Sequence, residues 1–585
     1  MARSGGEVDS GLADIESPHA SPSNLYTPDG SILCSQMALG GPVSPLGNSN
    51  TSARPSAQGI ETGFISLHPE EHSGRPPRTT QLFWNITKGK RRPDGVAKSV
   101  YLVNDAFPGP TVEAQSGDTV IVTVRNQLED NEGTALHWHG LRISNEMDGV
   151  VGVTQKAMMP GESFRYELRI PDDQAGTFWY HSHFEEQRAD GLFGAFVVHP
   201  AESHSEPSHT QAFAYDDDRV LMVGDWHHRS SPEILAYYRD WKNFKIEPAP
   251  DSLLLNGRGY FNCSRAVPAR PLDCEVVKMP KLTLTAKRTR LRIVNTGSSI
   301  GVSVFVEGYS MTLLAVDGGS PALSQNPASG VGILYPGERV DVLLEAMSAA
   351  PGQLTVTLDR ENMRFPNLAL SPTQHFPIQI GDALLASPSR DVALDTLIDI
   401  SAASGSSLAS TQMPEKTDMT ILLYSTISYL AEYENRPKGF INRTSWDLSG
   451  IQTPLSDLAR SEWPSRVDAL ILSVHQGSWV DVVLNNMDDK GHPFHLHGQE
   501  FYILALHKAD RAGLFQTYNP FDAAQDPPDF DLRTPLRKDT VYVPSMGYVV
   551  LRFRAQSLGL WMFHCHVLWH QAVGMAMALE VVPSG

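Results

Sequence analysis

The chain has little cysteine and little positive charge, and it has no long apolar run. Only 4 cysteines occur in 585 residues, which excludes a disulfide-built scaffold. Lys and Arg number 47 against 66 Asp and Glu, a net charge of −19, and a chain this acidic is a poor ligand for nucleic acid or anionic membranes. The sequence contains no stretch of 18 or more apolar residues, so no membrane-spanning helix is expected. The start, MARSGGEVDSGLADIES, lacks the apolar core of a standard signal peptide. What is abundant is histidine: 21 residues, many in tight clusters.

Residues 1–76, rich in Ser, Pro, Gly and Asn without apolar periodicity, read as a disordered tail. Alternation begins after them. In Gly117–Asn126, Val120, Val122 and Val124 fall on one face of a half-buried strand. The same phrase returns at Gly477–Asn486 and, more weakly, at Thr289–Asn295. The turn Pro160-Gly161-Glu162 recurs as Pro336-Gly337-Glu338, and Gly176-Thr-Phe-Trp-Tyr-His-Ser-His183 recurs as Gly559-Leu-Trp-Met-Phe-His-Cys-His566. Repetition at so long a period means three copies of a whole, mostly β domain. We expect an all-β protein with domains at 77–205, 206–390 and 391–585, the last boundary lying near the Ser/Ala-rich stretch 401–412.

Four His-x-His pairs stand out: His137/His139, His181/His183, His495/His497 and His564/His566. The period of a strand puts both imidazoles of a pair on one face. One such pair is weak evidence. Four pairs in register within two repeated domains point to a metal, because burying eight unpartnered imidazoles is costly. Around the last pair, Cys565 with His570 five residues on, Met575 ten residues on and His492 upstream form a His₂Cys(Met) set, the constellation of a blue copper. A structural zinc site would be closed by several cysteines. Electrons taken in at Cys565 would have a short covalent route through His564 and His566 to the histidine cluster. Ser182 stands where the first domain would need the cysteine, so that copy should lack the electron-transfer copper. The middle copy has no His-x-His and should hold none.

The motifs His-Trp-His-Gly (137–140), His-Ser-His (181–183), His-Pro-Phe-His-Leu-His-Gly (492–498) and His-Cys-His-Val-Leu-Trp-His (564–570) resemble those of three-domain multicopper oxidases, most nearly the fungal laccase type, over roughly 78–585. The resemblance implies three cupredoxin domains (Greek-key sandwiches or barrels) and four coppers. His137 and His495 would hold type 2. His139, His181, His183, His497, His564 and His566 would hold the type 3 pair. His492, Cys565 and His570 would hold type 1, with Met575 axial. It also implies O₂ as electron acceptor, reduced to water, and a small aromatic reductant; a monomer is expected.

Asp148, before Gly149, matches an acid that the family uses to supply protons, although a turn Asp is the alternative. Asp251 resembles the carboxylate of the laccase phenol pocket, and a loop Asp ahead of a strand is the equal alternative. The chain departs from the family in three places. Ala189 replaces the Glu that iron oxidases carry, Leu568 replaces a Glu or Ala after the type 1 Cys, and Lys156 follows Val153-Thr154-Gln155 where a Cys is usual. Cys263 and Cys274 could form a local disulfide, leaving Cys34 over; Asn50, Asn85, Asn262 and Asn442 are sequons, and together these hint at a glycoprotein of the secretory route. A phenol oxidase of pigment or secondary-metabolite assembly is the first reading. An ascorbate or iron oxidase is the second, and Ala189 weighs against iron. A non-catalytic copper carrier would not call for an eight-histidine cluster.

Overall fold

A computed structural model describes residues 63–584 except 202–213, 244–245, 269, 285, 324–325, 348–351, 362, 364–366, 381–395, 406–412, 464–467 and 510–513. Most of the tail reading and the positions chosen as domain boundaries, 205/206 and 390/391, lie outside the described residues, as do Cys34 and Asn50.

The alternating strands pair as their apolar faces require. Thr119–Asn126 buries Val120, Val122 and Val124 and lies parallel to Thr79–Arg91 in a four-stranded sheet completed by Lys98–Val103 and Ser163–Arg169. A second four-stranded sheet, Val112–Gln115, Phe193–His199, Gly176–Ser182 and Leu136–His139, closes over the same core. The last domain repeats this plan with a six-stranded sheet around Trp479–Asn486 and a five-stranded sheet that holds His492–Leu496 and Gly559–Cys565. The middle domain packs nine- and six-stranded sheets around a core of Leu, Val and Ile. The all-β expectation therefore holds. The longest α-helix among the described residues is Ser231–Arg239, started by a Ser230/Glu233 capping box.

Two expected limits shift. Residues 63–76, read as tail, belong to the folded body. Ile65 and Ser66 pair with Val220 and Arg219 at the edge of a middle-domain sheet, Phe64 enters that domain's core, and the short helix Pro69–His72 follows. Leu397–Ile398 and Ser404–Gly405 pair with Gly330–Val331 and Ala322–Leu323, so the middle domain reaches past 390 to 405. Strands of two residues carry too little periodicity to be seen in a sequence. Cys263 and Cys274 are joined as a disulfide, with a Cα–Cα distance of 5.8 Å.

Buried polar groups bind the domains together. Thr177 donates to Asp341 Oδ1 (2.7 Å), joining the first domain to the middle one. Arg339 of the middle domain forms a two-pronged pair with Asp539 of the last (2.6 and 2.5 Å). Arg188 Nη2 donates to the His566 carbonyl (3.0 Å), joining first to last.

Candidate metal centre

In the first domain, antiparallel pairing sets His137 opposite His181 and His139 opposite Trp179. In the last, His495 faces His564 and Phe494 faces Cys565. The two sheets meet at these strands, and all eight imidazoles come together there. Seven are buried and His183 is partly so. Ligand atoms within 4.8 Å of one another define the groups His137/His139/His495, His139/His181/His566 and His183/His497/His564. Each group draws on both domains. Three pairs are split between groups, and in each the strand ends before the second histidine, at Ser182, Leu496 and Cys565, which frees that residue to diverge; His137 and His139, both within one strand, share a group.

The outer nitrogens are pinned. His137, His181, His495 and His564 each donate from Nδ1 to a backbone carbonyl, of Asp148, Ser182, Asp539 and Cys565 respectively (2.8–2.9 Å). This fixes the tautomer and points Nε2 inward, as outer-shell partners of metal ligands do. Nε2 of His137, His181 and His495 and Nδ1 of His139 are buried with no hydrogen-bond partner, and Nε2 of His497 and His564 stand 3.0 Å apart. Such a set of inward lone pairs fits cations and little else. Burial, reinforced by neighbouring imidazoles, holds His139, His181, His183, His564 and His566 well below the usual histidine range and His497 at about 3, so the rings are neutral and ready to ligate.

A second group lies beside the first. Cys565 Sγ is 3.7 Å from His492 Nδ1 and 3.6 Å from His570 Nδ1, and the two nitrogens are 3.0 Å apart. Burial alone would push the thiol up, but its hydrogen bonds with His492 and His570 bring it down to about 7. Met575 is fully buried in the same core, and its carbonyl accepts from the Cys565 N–H (3.0 Å). His570 rides the short helix Leu568–Ala572.

Asp148 is buried against the cluster, 2.9 Å from His497 Nδ1 and 3.2 Å from His137 Nδ1. These contacts outweigh burial and hold its carboxyl far below the carboxylate range. Among the described residues Asp251 makes no contact with either group; its oxygens accept from the His228 N–H (2.8 Å) and Asn367 Nδ2 (2.7 Å). Instead Glu247 Oε1 lies 3.3 Å from His570 Nε2, and Asp488 Oδ2 lies 2.8 Å from His492 Nε2. Both residues were missed in the sequence, as were Arg188, 2.7 Å from His566 Nδ1, and Asp539, 3.3 Å from His139 Nε2. Asp488 sits four residues before His492, a spacing that could have flagged it; Glu247 and Arg188 carry no such signal. Ala189 is buried in an apolar core and offers no oxygen.

Profiles described as multicopper oxidase match residues 85–203, 217–375 and 442–585. Laccase-1 of Cryptococcus neoformans var. neoformans is 30% identical over 90% of this chain and 84% of its own length. Iron transport multicopper oxidase fetC of Epichloe festucae is 28% identical over 86% of this chain and 76% of its own. The crystal structure of the Botrytis aclada laccase superposes with a TM-score of 0.69 at 26% identity, covering 88% of this chain and 90% of that one. Likeness along nearly the whole chain, joined to inward-facing histidines suited to copper, places the chain in the multicopper oxidase family.

Proposed function

We propose that this oxidase is laccase-like: His492, Cys565 and His570, with Met575 buried beside them, would hold a copper that accepts single electrons from phenols, and the eight-histidine cluster would hold the coppers that reduce O₂. In this reading His137 and His495 hold the type 2 copper. His139, His181 and His566 hold one type 3 copper, and His183, His497 and His564 hold the other. Copper supplies the one-electron chemistry and the reduction of O₂ to water. The protein's part is to fix the imidazoles, exclude bulk water and handle protons. Asp148, in contact with His137 and His497, is the proton-handling group at the cluster. The backbone from Cys565 to its two neighbouring histidines joins the sites covalently.

The observation that carries the phenol reading is Glu247 Oε1 at His570 Nε2, on a side chain that keeps a fifth of its surface exposed. A phenol gives up a proton with its electron, and Glu247, kept ionised at about 2 because His570 and Lys490 outweigh its burial, can accept a hydrogen bond from the phenol O–H and orient it for that loss. The role expected of Asp251 thus passes to Glu247. Glu247→Gln should lower kcat/KM for 2,6-dimethoxyphenol by roughly tenfold, the worth of a hydrogen bond to a charged group, and should not slow ferrocyanide, which has no proton to lose. Equal losses for both substrates would make Glu247 structural, and Asp251→Asn should show no such selectivity. The phenoxyl radicals would then couple, as in pigment or secondary-metabolite assembly. The disulfide and the exposed sequons Asn85, Asn262 and Asn442 support a secretory location.

Asp488 and Glu247 also favour a second reading. Carboxylates on both outer imidazole nitrogens are the kind of oxygen ligand an iron oxidase needs, but Lys490 is paired with Glu247 and Ala189 supplies none. O₂ uptake with a phenol, with ascorbate and with ferrous ion separates the readings.

A further inference from the structure

The two carboxylates at this edge are already engaged. Asp488 Oδ1 accepts from Thr426 Oγ1 (2.9 Å), and its two oxygens share the Ile427 N–H (3.1 and 2.8 Å), while Oδ2 meets His492. Glu247 spends Oε1 on His570 and Oε2 on the ammonium of Lys490, 2.8 Å away. Lys490 lies two residues before His492, and Asn486 Nδ2 donates to its carbonyl (2.6 Å), fixing the turn that carries it. The Lys490 side chain is only 10% exposed, so its charge is set into the edge and not free in solvent. A divalent cation would have to displace the ammonium to reach Glu247, and would meet its repulsion first.

We propose that Lys490 is a specificity-determining residue of the reductant edge: it excludes divalent cations and admits neutral or anionic reductants, phenols bearing an acid group among them. The inference rests on the proposed function only in taking His492, Cys565 and His570 as the point of electron entry. It goes further in naming the charge class of the substrate. A buried charge at a docking point changes association with charged partners, and salt screens the effect.

The test uses the copper-loaded full chain and outer-sphere reductants of opposite charge, ferrocyanide and a trimethylammonium-substituted ferrocene, with ferrous ion as a third. Reduction is read without O₂, as the rate at which the blue absorption bleaches. Lys490→Gln should slow ferrocyanide by about tenfold and speed the cationic ferrocene and ferrous ion by a similar factor. Lys490→Arg should behave as the parent. Low salt should widen the gap between the parent and Lys490→Gln for each charged reductant and high salt should close it, because salt screens the Lys490 charge. A common factor for all reductants, an Arg variant indistinguishable from the Gln variant, or a gap between parent and Gln variant that salt does not change would overturn the proposal. Failure of the phenol reading looks different: no phenol is oxidised, while both outer-sphere reductants still bleach the blue band.

Discussion

The first and last domains present one backbone plan with two fillings. Counting from the matched His-x-His pairs, Thr134, Ser182, Gln187 and Leu192 stand where the last domain has His492, Cys565, His570 and Met575. In the last domain the group is a cysteine and two inward lone pairs, closed from outside by Asp488 and Glu247. In the first domain the same pocket is a knot of hydrogen bonds around Gln187, whose Nε2 also donates to Glu132 Oε1 (2.9 Å). Thr134 and Ser182 both donate to Gln187 Oε1 (2.9 and 2.7 Å), and Gln187 Nε2 donates to the Gly133 carbonyl (2.8 Å). The fold thus makes the pocket, and polar satisfaction decides what fills it. A pocket whose hydrogen bonds close on themselves has no use for a cation.

The largest effect should come from making the two pockets alike. Cys565→Ser puts the first domain's hydroxyl in the last domain. A hydroxyl is a poor substitute for a soft thiolate. Blue absorption and oxidase turnover should vanish, and metal analysis should find one copper fewer per chain with the remainder retained. A variant that stays blue would break the comparison. The mirror change, Ser182→Ala, should keep colour, copper and turnover, and lower stability by about 1 kcal/mol for the lost hydrogen bond, read from the unfolding midpoint.

The middle domain gives the next effect, because it touches the cluster without ligating it. Gly337 has φ +94°, and a Cβ there would stand 3.0 Å from His566 Cγ and 3.2 Å from His139 Cε1. One ring belongs to each flanking domain. Gly337→Ala would strain the turn and displace both rings by tenths of an ångström. Misplacement of that kind can cost on the order of 10² in rate. Turnover should fall while the blue absorption of the Cys565 site, which Gly337 does not touch, persists. Loss of the blue band with the activity would mean that the domains had come apart.

How far the sequence could be read follows from these residues. The strand phrases ending at Asn126 and Asn486 announce β-structure and repetition because both faces of the strand leave their period in the text. The four His-x-His pairs announce a metal for the same reason. Which pairs are divided between groups is not legible in the strand period, since it depends on where Ser182, Leu496 and Cys565 end their strands and on which domain lies opposite. Asp251 had the expected motif but is taken up by His228 and Asn367, whereas Glu247 reaches His570 from a non-repeating loop of another domain. Phe64, Ile65 and Leu67 are three apolar positions in a polar stretch, too few to signal that they add to an existing sheet edge and core.

The effect furthest from the metal groups separates the first and last domains by pH. The segment 63–76 is strapped to the first domain by Glu113, which accepts from the His68 N–H (2.8 Å) and contacts the rings of His68 (3.1 Å) and His199 (2.8 Å), and by the Arg75–Asp118 pair. His72 is buried beneath it, its ring stacked on His199 at 5.1 Å and faced by Arg75 and Arg78. Burial, then the His199, Arg75 and Arg78 charges, hold His72 at about 4 against a usual 6.5, although Glu113 pulls the other way. A depressed histidine is neutral in the folded chain and takes up its proton first in the unfolded one. Stability is therefore intact above about 6.5 and falls as pH drops toward 4, by at most about 3 kcal/mol. Glu113, lowered to about 2 chiefly by its histidine partners in opposition to burial, adds its own loss only at lower pH. The last domain's tie to the middle one behaves differently, since Arg339 overcomes the burial of Asp539 and holds that carboxyl well below its usual range. His72→Gln keeps a neutral polar group and removes the titration. Its unfolding midpoint, followed by calorimetry, should fall less than the parent's between pH 6.5 and 4, with the blue absorption unchanged in both. Identical slopes for the two proteins would show that the strap does not sense pH through His72.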